Sequence, residues 1–325
     1  MNILITGGAG FIGSTLVDKL LEQNLGKIVV VDSFTDFYGS SIKKENINVN
    51  YNNPDYKIYT ADIENKENLR SVFAENSIDC VIHLAARAGV RPSIDNPELY
   101  FKTNVLGTLN VLELMKEFNI KRLIFASSSS VYGNSKADLF SEDLNLREPI
   151  SPYAASKLSC EQLCYTYSKL YDIKTVCFRF FTVYGPRQRP DLAISKFVDL
   201  ITQGKSIPVY GDGTTMRDYT FIDDIVSGVI SAINYNGTDY EIINLAGGRA
   251  VMLNELIQVV ETCLGKKAII ERLPMQSGDV DKTIADISKA RRLLGYSPKV
   301  SFKEGVGRFI EWKFNLEALK NKMVS

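Results

Sequence analysis

The sequence predicts an α/β protein with a doubly wound parallel sheet and a smaller, mixed C-terminal lobe. In its first half, short apolar runs alternate with stretches of helical periodicity, the pattern of a parallel sheet covered by helices on both faces. A glycine-rich turn directly follows the first apolar run. Residues 80–84 are apolar at almost every position, as in a strand that is buried on both sides.

The elements follow in order along the chain. Strands are predicted at residues 3–6, 28–31, 57–60, 80–84, 123–126 and 175–178. Helices are predicted at residues 11–23, 66–75, 97–118 and 152–171, and in the second half at 193–203, 224–234, 254–264, 288–294 and 302–319. After about residue 180, prolines and glycines divide the chain into shorter pieces. We therefore predict a sheet domain at 1–180, to which some later segments return, and a second lobe at 181–325.

The composition excludes several classes of protein. The 325 residues contain 38 Lys and Arg against 38 Asp and Glu, whereas a nucleic-acid or membrane-surface protein needs an excess of basic side chains. His83 is the single histidine, so a metal site of several imidazoles is impossible, and no metal is expected. Because His83 lies inside a predicted strand, we expect a core histidine with satisfied hydrogen bonds.

Cysteine usage and the N-terminus predict a cytoplasmic protein. The five cysteines are an odd number and form no C-x-x-C pair, and Cys160 and Cys164 have helical spacing, which favours buried, reduced thiols. Met1 and Asn2 lead straight into a predicted strand, so no targeting segment is expected. No stretch reaches the roughly 18 apolar residues that suggest a membrane span.

The turn after the first strand is suited to a pyrophosphate. Gly7, Gly10 and Gly13 allow a sharp turn, a close approach of the backbone to the anion, and tight packing of the helix on the sheet. The free N–H groups at the helix start, around Phe11 and Ile12, then face the anion. We predict a Rossmann-like dinucleotide site built on these five residues.

The end of the second strand indicates which dinucleotide binds. Asp32 lies 19 residues past Gly13, where a carboxylate can accept both hydroxyls of the adenosine ribose and would repel a 2′-phosphate. NAD is therefore predicted in preference to NADP. Asp62 and Ile63, after the third strand, are candidates for framing the adenine, with a solvated turn as the alternative.

Residues 151–157 combine a helix start with an acid–base pair. Ser151 can cap the helix, Pro152 suits its first position, and Tyr153 and Lys157 are four apart and share a face. A phenol with a pKa of about 10 is a poor base at neutral pH. A neighbouring ammonium and the positive nicotinamide ring favour the phenolate and lower that pKa. We expect Tyr153 to take the proton of an alcohol as hydride leaves.

Four consecutive serines, at residues 127–130, follow the fifth strand. They lie at the carboxyl end of that strand, where ligands bind in open α/β sheets. One of their hydroxyls can hydrogen bond the reacting oxygen. Serine clusters are common in loops, so this feature is informative only together with Tyr153 and Lys157.

With residues 217–219 (Arg-Asp-Tyr), these motifs resemble the extended short-chain dehydrogenase/reductase family, and within it the nucleotide-sugar epimerases and dehydratases. The resemblance covers nearly the whole chain. It implies that Ser128 is the catalytic serine, that Tyr153 is the base, and that Lys157 holds the nicotinamide ribose. Asn104 matches a family position near the active site, with a helix-interior asparagine bonded to the backbone as the alternative.

The predicted cofactor site also includes residues after the fourth strand and residues of the catalytic helix. The full set is Gly7, Gly10, Phe11, Ile12, Gly13, Asp32, Asp62, Ile63, Leu84, Ala85, Ala86, Asn104, Tyr153 and Lys157.

The resemblance further implies that the second lobe holds a uridine diphosphate. Arg217 occupies the position of a family arginine that binds the diphosphate, and Asp279 resembles a uridine-ribose ligand. Gln276 stands where the family often has arginine, so one phosphate contact is expected to be weaker. Tyr210 is placed to stack on the uracil, with packing at a sheet edge as the alternative. A UDP-sugar is thus the implied partner.

Two stretches, residues 83–91 and 179–191, are similar to UDP-glucuronate 4-epimerases. Their cations suit a uronate or phosphates; they are Arg87, Arg91, Arg187 and Arg189. Family 4,6-dehydratases have Asp-Glu directly after the catalytic residue, and the decarboxylases have a Glu, where this chain has Ser129 and Ser130. Neutral hydroxyls cannot supply that acid or base, so oxidation and re-reduction at C4 is implied.

A uronate adds the hazard of decarboxylation, because a C4 ketone turns the C5 carboxylate into a β-keto acid. The hydroxyls expected to hold this carboxylate near the carbonyl plane are Ser128, Ser129, Ser130 and Thr182. The implied function is NAD-dependent conversion of UDP-glucuronate to UDP-galacturonate. The alternatives are a UDP-glucose or UDP-N-acetylhexosamine 4-epimerase, a UDP-glucuronate decarboxylase, a 4,6-dehydratase, a simple NAD-linked dehydrogenase and a non-catalytic NAD-binding protein. A homodimer through helices 97–118 and 152–171 is implied by the resemblance.

Overall fold

The computed structural model describes residues 1–37, 39–275 and 280–324. The strands are β1 (Asn2–Thr6), β2 (Lys27–Asp32), β3 (Tyr56–Thr60), β4 (Cys80–His83), β5 (Arg122–Ser128), β6 (Lys174–Phe180), β7 (Thr182–Tyr184), β8 (Ser206–Tyr210), β9 (Met216–Phe221), β10 (Tyr240–Leu245), β11 (Ala250–Met252), β12 (Ile269–Leu273) and β13 (Lys282–Thr283). The helices are α1 (Phe11–Glu22), α2 (Ser40–Ile47), α3 (Lys66–Glu75), α4 (Val90–Asp95), α5 (Pro97–Tyr100), α6 (Gly107–Glu117), α7 (Pro152–Tyr171), α8 (Ala193–Thr202), α9 (Ile222–Ala232), α10 (Leu253–Leu264), α11 (Ser288–Leu294) and α12 (Phe302–Val324).

The central sheet has seven parallel strands in the order β10-β6-β5-β4-β1-β2-β3. The strand order reverses between β1 and β4, and ligands of open α/β sheets bind at the carboxyl ends of the strands beside such a point. All six predicted strands are present, with their ends shifted by two residues at most. The predicted doubly wound, Rossmann-like sheet is confirmed.

The seventh strand, β10, comes from the second half of the chain and was not predicted. It pairs in parallel with β6 at the edge of the sheet. Its apolar pattern is interrupted by Glu241 and Asn244, which hides the strand in the sequence. Asn244 is nevertheless fully buried, because side-chain hydrogen bonds satisfy its amide.

The predicted helices of the first half are all present. Helix α7 has the predicted bounds, and Ser151 caps it by accepting a hydrogen bond from the Ala154 N–H at 3.1 Å. The stretch predicted as one helix at 97–118 is a continuous helical run, with a π-helical segment (Phe101–Leu106) between α5 and α6. Helices α2 and α4 were missed, because α2 is polar and α4 is a six-residue helix that contains Pro92.

The second half forms two small sheets and five helices. Strand β9 pairs with β7 and β13 in parallel and with β11 antiparallel, and β8 pairs with β12 in parallel. All five predicted helices are present, and α12 runs five residues beyond its predicted end. The division of the chain at residue 180 stays a proposal, since β10 belongs to the central sheet.

Apolar side chains cover both faces of the central sheet. On β1, Ile3 and Ile5 enter one buried cluster and Leu4 enters the other, as strand alternation requires. His83 is buried between the hydroxyls of Thr6 (2.6 Å) and Thr108 (3.1 Å), and burial lowers its pKa to about 3. The prediction of a core histidine is confirmed.

The cysteines carry free thiols. Cys80, Cys160, Cys164 and Cys177 are buried, and Cys263 is half-buried. This agrees with the expected reduced thiols, while the cytoplasmic location stays a prediction. Among the described residues, no helix has the length and apolar character needed to cross a membrane.

Candidate active site

A cleft of about 520 Å³ lies along the carboxyl ends of the central strands, with walls from both halves of the chain. Most of the predicted site residues line it. They are Gly7, Gly10, Phe11, Ile12, Gly13, Asp32, Asp62, Ile63, Leu84, Ala85, Ala86, Arg87, Ser128, Ser129, Ser130, Tyr153, Lys157, Thr182, Arg189 and Arg217.

In the glycine turn, the groups that face the cleft belong to the backbone and not to side chains. Gly7 has a φ of +72°, and a Cβ there would lie 2.8 Å from the Ala85 nitrogen. A Cβ on Gly13 would lie 2.2 Å from the Gly7 carbonyl oxygen. Gly10 caps α1 without a side chain that could bond the first N–H groups of the helix. These features fit the pyrophosphate of a dinucleotide, which needs close backbone and N–H donors.

Asp32 ends β2 at the cleft and is nearly fully buried. Its carboxylate accepts hydrogen bonds from the backbone N–H groups of Ala9 (3.2 Å) and Phe34 (2.9 Å). It also pairs with the ammonium of Lys43 at 2.9 Å. Sequence reasoning missed Lys43, because the residue lies in a polar helix with no motif spacing. Lys43 offsets the charge of Asp32, so the carboxylate repels a 2′-phosphate less than it would alone.

The turn after β3 is packed and not solvated. Ile63 is buried, and its carbonyl accepts a hydrogen bond from the Asn110 amide at 2.9 Å. Asp62 is half-buried and accepts the Glu64 N–H at 2.9 Å, which fixes the turn. Both residues therefore face the cleft from a rigid loop.

Asn104 lies behind the cleft and does not line it. Its side-chain oxygen accepts the Arg87 N–H (2.8 Å), and its amide donates to the Arg87 carbonyl (3.1 Å) and the Ser156 hydroxyl (2.9 Å). It thereby ties the loop after β4 to α7. The structure fits the alternative, an asparagine bonded to the backbone, and a contact of Asn104 with the cofactor stays a prediction.

Tyr153 projects from the first turn of α7 into the cleft. Its ring packs edge-on against Tyr100, with 6.1 Å between the ring centroids. Burial raises the pKa of the Tyr153 phenol, and a hydrogen bond with Ser128 and the charge of Arg189 counter this only in part. The phenolate expected beside the nicotinamide ring stays a prediction. The two predicted catalytic side chains, Ser128 and Tyr153, both line the cleft.

Lys157 is buried one helical turn beyond Tyr153. Its ammonium donates to the Ala126 carbonyl at 2.7 Å and lies 5.0 Å from the centre of the Phe125 ring. Burial lowers its pKa. The amine is directed to the end of β5, and its effect on the pKa of Tyr153 stays a prediction.

A 3-10 turn at Ser129–Tyr132 follows β5. Together with its cap, Ser128, we call it the serine turn. The Ser128 hydroxyl accepts the Ser130 N–H at 3.1 Å, which closes the turn. The Ser130 hydroxyl is buried and has no hydrogen-bond partner among the described residues. Because Ser130 lines the cleft, its hydroxyl is a candidate for a hydrogen bond with a polar ligand.

Two predicted arginines stack on one aromatic side chain that sequence reasoning missed. The guanidinium groups of Arg87 and Arg189 lie 6.0 Å and 5.1 Å from the centre of the Phe37 ring. Arg189 also forms paired hydrogen bonds with Asp191, at 2.9 Å and 2.7 Å. Loops after β2, β4 and β7 are thereby joined at the mouth of the cleft, a contact that no local pattern encodes.

Comparison with known proteins identifies the family. Residues 4–309 match the model of the GDP-mannose 4,6 dehydratase family. The chain belongs to this family.

Relatives of this family member include epimerases of UDP-sugars. It is 46% identical over 321 residues to a UDP-glucuronate 4-epimerase of Thermodesulfobacterium geofontis, covering 98% of each chain. A solved UDP-glucuronic acid 4-epimerase from Bacillus cereus, in complex with UDP-glucuronic acid and NAD, is 38% identical with a TM-score of 0.91, covering 97% of this chain and 100% of that one. A UDP-glucose 4-epimerase from Thermotoga maritima, with UDP-glucose, is 34% identical with a TM-score of 0.88, covering 98% and 100%.

Some residues predicted for substrate in this family member lie outside the cleft lining. The Arg91 guanidinium lies 5.2 Å from the centre of the Tyr210 ring, so one face of that ring is already covered. Arg187 pairs with Asp18 on α1 at 2.7 Å, which neutralises a cation considered for the substrate. These pairings depend on residues far apart in sequence. Gln276 and Asp279, by contrast, lie outside the described residues.

Proposed function

We propose that this protein is an NAD-dependent UDP-sugar 4-epimerase that interconverts UDP-glucuronate and UDP-galacturonate. The observation that carries the proposal is that one cleft, suited to a dinucleotide, brings together Ser128 and Tyr153 next to two uncharged serines. A dehydratase or decarboxylase of this kind would need a carboxylate where Ser129 and Ser130 stand. The named relatives, which act on UDP-sugars, support the same activity.

The residues of the cleft fit NAD. The glycine turn would hold the pyrophosphate and Asp32 the adenosine ribose. Lys157 retains further N–H donors beyond its bond to Ala126, and these would hold the nicotinamide ribose. Bound NAD supplies a hydride acceptor, then a hydride donor, and a positive ring charge that favours the phenolate of Tyr153.

The protein's own residues then handle the proton. Tyr153 accepts the proton of the sugar 4-hydroxyl, and Ser128 hydrogen bonds the same oxygen. The 4-keto sugar turns over, and Tyr153 returns the proton once the opposite face is presented. The nucleotide must stay fixed while the sugar rotates, and Arg217 on β9 is placed in the cleft wall to hold the diphosphate.

The serine turn and Thr182 suit the carboxylate of a uronate. The buried Ser130 hydroxyl without a partner would gain a hydrogen bond from such a ligand. The 4-keto uronate is at risk while it turns: the C5–carboxylate bond can break, its electron pair forms an enolate with the C4 carbonyl, and CO₂ leaves. Hydroxyls that keep the carboxylate near the carbonyl plane suppress this loss.

We further propose a homodimer formed through the paired helices α5–α6 and α7. Large apolar side chains on this part of the surface are exposed; they are Phe101, Leu106, Tyr165 and Leu170. Exposed apolar surface of this kind is typical of protein interfaces. Light scattering coupled to gel filtration should give twice the mass of the chain, and a monomer at micromolar concentration would contradict this assignment.

The activity is tested by separate incubation with UDP-glucuronate, UDP-glucose and UDP-N-acetylglucosamine. We expect UDP-glucuronate to give UDP-galacturonate without net NADH and with little CO₂. Preferred turnover of a neutral UDP-sugar would identify a different epimerase. Net NADH would indicate a dehydrogenase, and the absence of turnover on all three substrates would contradict the proposal.

A further inference from the structure

A closed network of hydrogen bonds lies behind the serine turn; Ser127 in this network lines the cleft, whereas Glu161 and Arg179 do not. Glu161 on α7 and Arg179 on β6 are 0% and 3% exposed. Two parallel hydrogen bonds join them, from the Arg179 Nε to the Glu161 Oε1 (2.9 Å) and from its Nη2 to the Oε2 (2.8 Å). Neither residue faces the cleft, and the proposed mechanism does not use either.

This ion pair is bonded to both ends of the serine turn. The Ser127 hydroxyl, just before the turn, donates to the Glu161 Oε1 at 2.5 Å. The Arg179 Nη1 donates to the hydroxyl of Tyr132, the last residue of the turn, at 3.0 Å. The guanidinium also lies 4.9 Å from the centre of the Tyr132 ring. The serine turn is thus held at both ends by hydrogen bonds to the same ion pair.

The network continues into the edge of the sheet. The Tyr132 hydroxyl donates to the side-chain oxygen of Asn244 on β10 at 2.7 Å, and the Asn244 amide donates to the Phe140 carbonyl at 2.7 Å. Strands β5, β6 and β10 and helix α7 therefore all contribute to one buried polar cluster. The polar groups of the cluster form hydrogen bonds with one another, which favours a single arrangement of their side chains.

Stability alone does not account for such a pair. Burying two charges costs desolvation energy, and well-packed apolar residues often stabilise a fold as much or more. The ion pair instead fixes the position of its neighbours, because a bidentate guanidinium–carboxylate contact constrains direction as well as distance. The position that it fixes is that of the serine turn.

We propose that Glu161 and Arg179 are positioning residues that clamp both ends of the serine turn, so that Ser128 and Ser130 meet the sugar in one fixed arrangement. This inference rests on the proposed function. If the carboxylate of the keto-uronate is held by the turn, a loosened turn lets its bond leave the carbonyl plane more often. The clamp then determines how much keto-sugar returns as epimer and how much loses CO₂.

The test removes one attachment at a time and leaves the ion pair intact. Ser127→Ala releases the first end of the turn, and Tyr132→Phe releases the second. Ser159→Ala and Tyr167→Phe are the matched controls, since these hydroxyls on α7 bond the Ala155 carbonyl and Glu113 away from the cleft.

With UDP-glucuronate, each clamp variant should raise the ratio of decarboxylated product to epimer at least about tenfold, the effect expected of a lost hydrogen bond to a charged partner. The controls should keep the wild-type ratio. In parallel, amide hydrogen exchange at residues 128–132 should be faster in both clamp variants than in the controls, while the melting temperatures of all four variants stay close together.

The two proposals fail in different ways. Loss of the proposed function would appear as wild-type protein that does not convert UDP-glucuronate, whereas hydrogen exchange needs no substrate. The clamp is overturned if wild-type protein epimerises UDP-glucuronate and both clamp variants keep its product ratio. It is also overturned if exchange at residues 128–132 is the same in clamp and control variants.

Discussion

The two halves of the cleft present different groups to a ligand. The cofactor half is backbone: Gly7 and Gly13 pack so closely on neighbouring chain that a Cβ at either would overlap main-chain atoms. The sugar half is side chain: serine hydroxyls, Thr182, and two arginines stacked on Phe37. We assign to the first half the binding of the groups that every dinucleotide shares, and to the second half the discrimination between sugars.

This difference also determines how each half of the cleft responds to substitutions. Replacement of either glycine should block the backbone site altogether, because the new Cβ overlaps main-chain atoms. A set of hydroxyls and guanidinium groups can be changed one at a time, with graded effects on the ligand. Substitutions in the cofactor half should therefore abolish activity. Substitutions in the sugar half should instead change which product forms.

Of the three substitutions that compare the two halves, Gly13→Ala should have the largest effect. The new Cβ would lie 2.2 Å from the Gly7 carbonyl oxygen, so the turn must open and lose its anion site. Affinity for NAD, measured by calorimetry, should fall at least ~100-fold, as the loss of several N–H contacts to a pyrophosphate implies. Gly307→Ala is the control, since a Cβ at that position meets nothing within 4 Å. Equal NAD affinity in the two variants would refute the backbone cradle.

The same contrast explains what could be predicted from the sequence. The glycine turn, Asp32 and the start of α7 are local patterns, whose spacing or capping residues already define the geometry. Lys43 and Phe37 were missed because their partners, Asp32, Arg87 and Arg189, reach them only through the fold.

Two further features were not foreseen, for a related physical reason. Tyr153 and Lys157 share a helix face as predicted, yet the amine bonds the Ala126 carbonyl and burial raises the pKa of the phenol. Spacing gives proximity along a helix but not the direction of a flexible side chain. Strand β10 was missed because its buried polar residue, Asn244, is satisfied only by distant partners.

A smaller, redirecting effect is expected from Thr182→Val in the sugar half. The change keeps the shape of the side chain on β7 and removes the hydroxyl that we assign to the carboxylate. The fraction of decarboxylated product from UDP-glucuronate should rise severalfold, with NAD affinity unchanged, as measured by product chromatography and trapped CO₂. Thr166→Val on the exposed side of α7 is the control. An unaltered product ratio would remove Thr182 from the carboxylate site.

The smallest effect is expected from Arg189→Gln and concerns pH. Burial raises the pKa of Tyr153, while a hydrogen bond with Ser128 and the charge of Arg189 lower it. The first-turnover rate should rise with pH as the phenolate forms. Without Arg189 the pKa is higher, so this rising limb should move to higher pH. Arg249→Gln, which removes an exposed arginine paired with Glu255, should leave the profile in place. A shift to lower pH would contradict the assigned electrostatics.

The central claim is that Tyr153, as the phenolate, takes the proton from the sugar 4-hydroxyl. The most direct measurement is the transient NADH absorbance in a single turnover of UDP-glucuronate by Tyr153→Phe, with binding of NAD and UDP-sugar checked separately. We predict intact binding of both ligands and a first hydride transfer slowed about 10³-fold, as the loss of a general base implies. A transient that forms within tenfold of the wild-type rate would contradict the account.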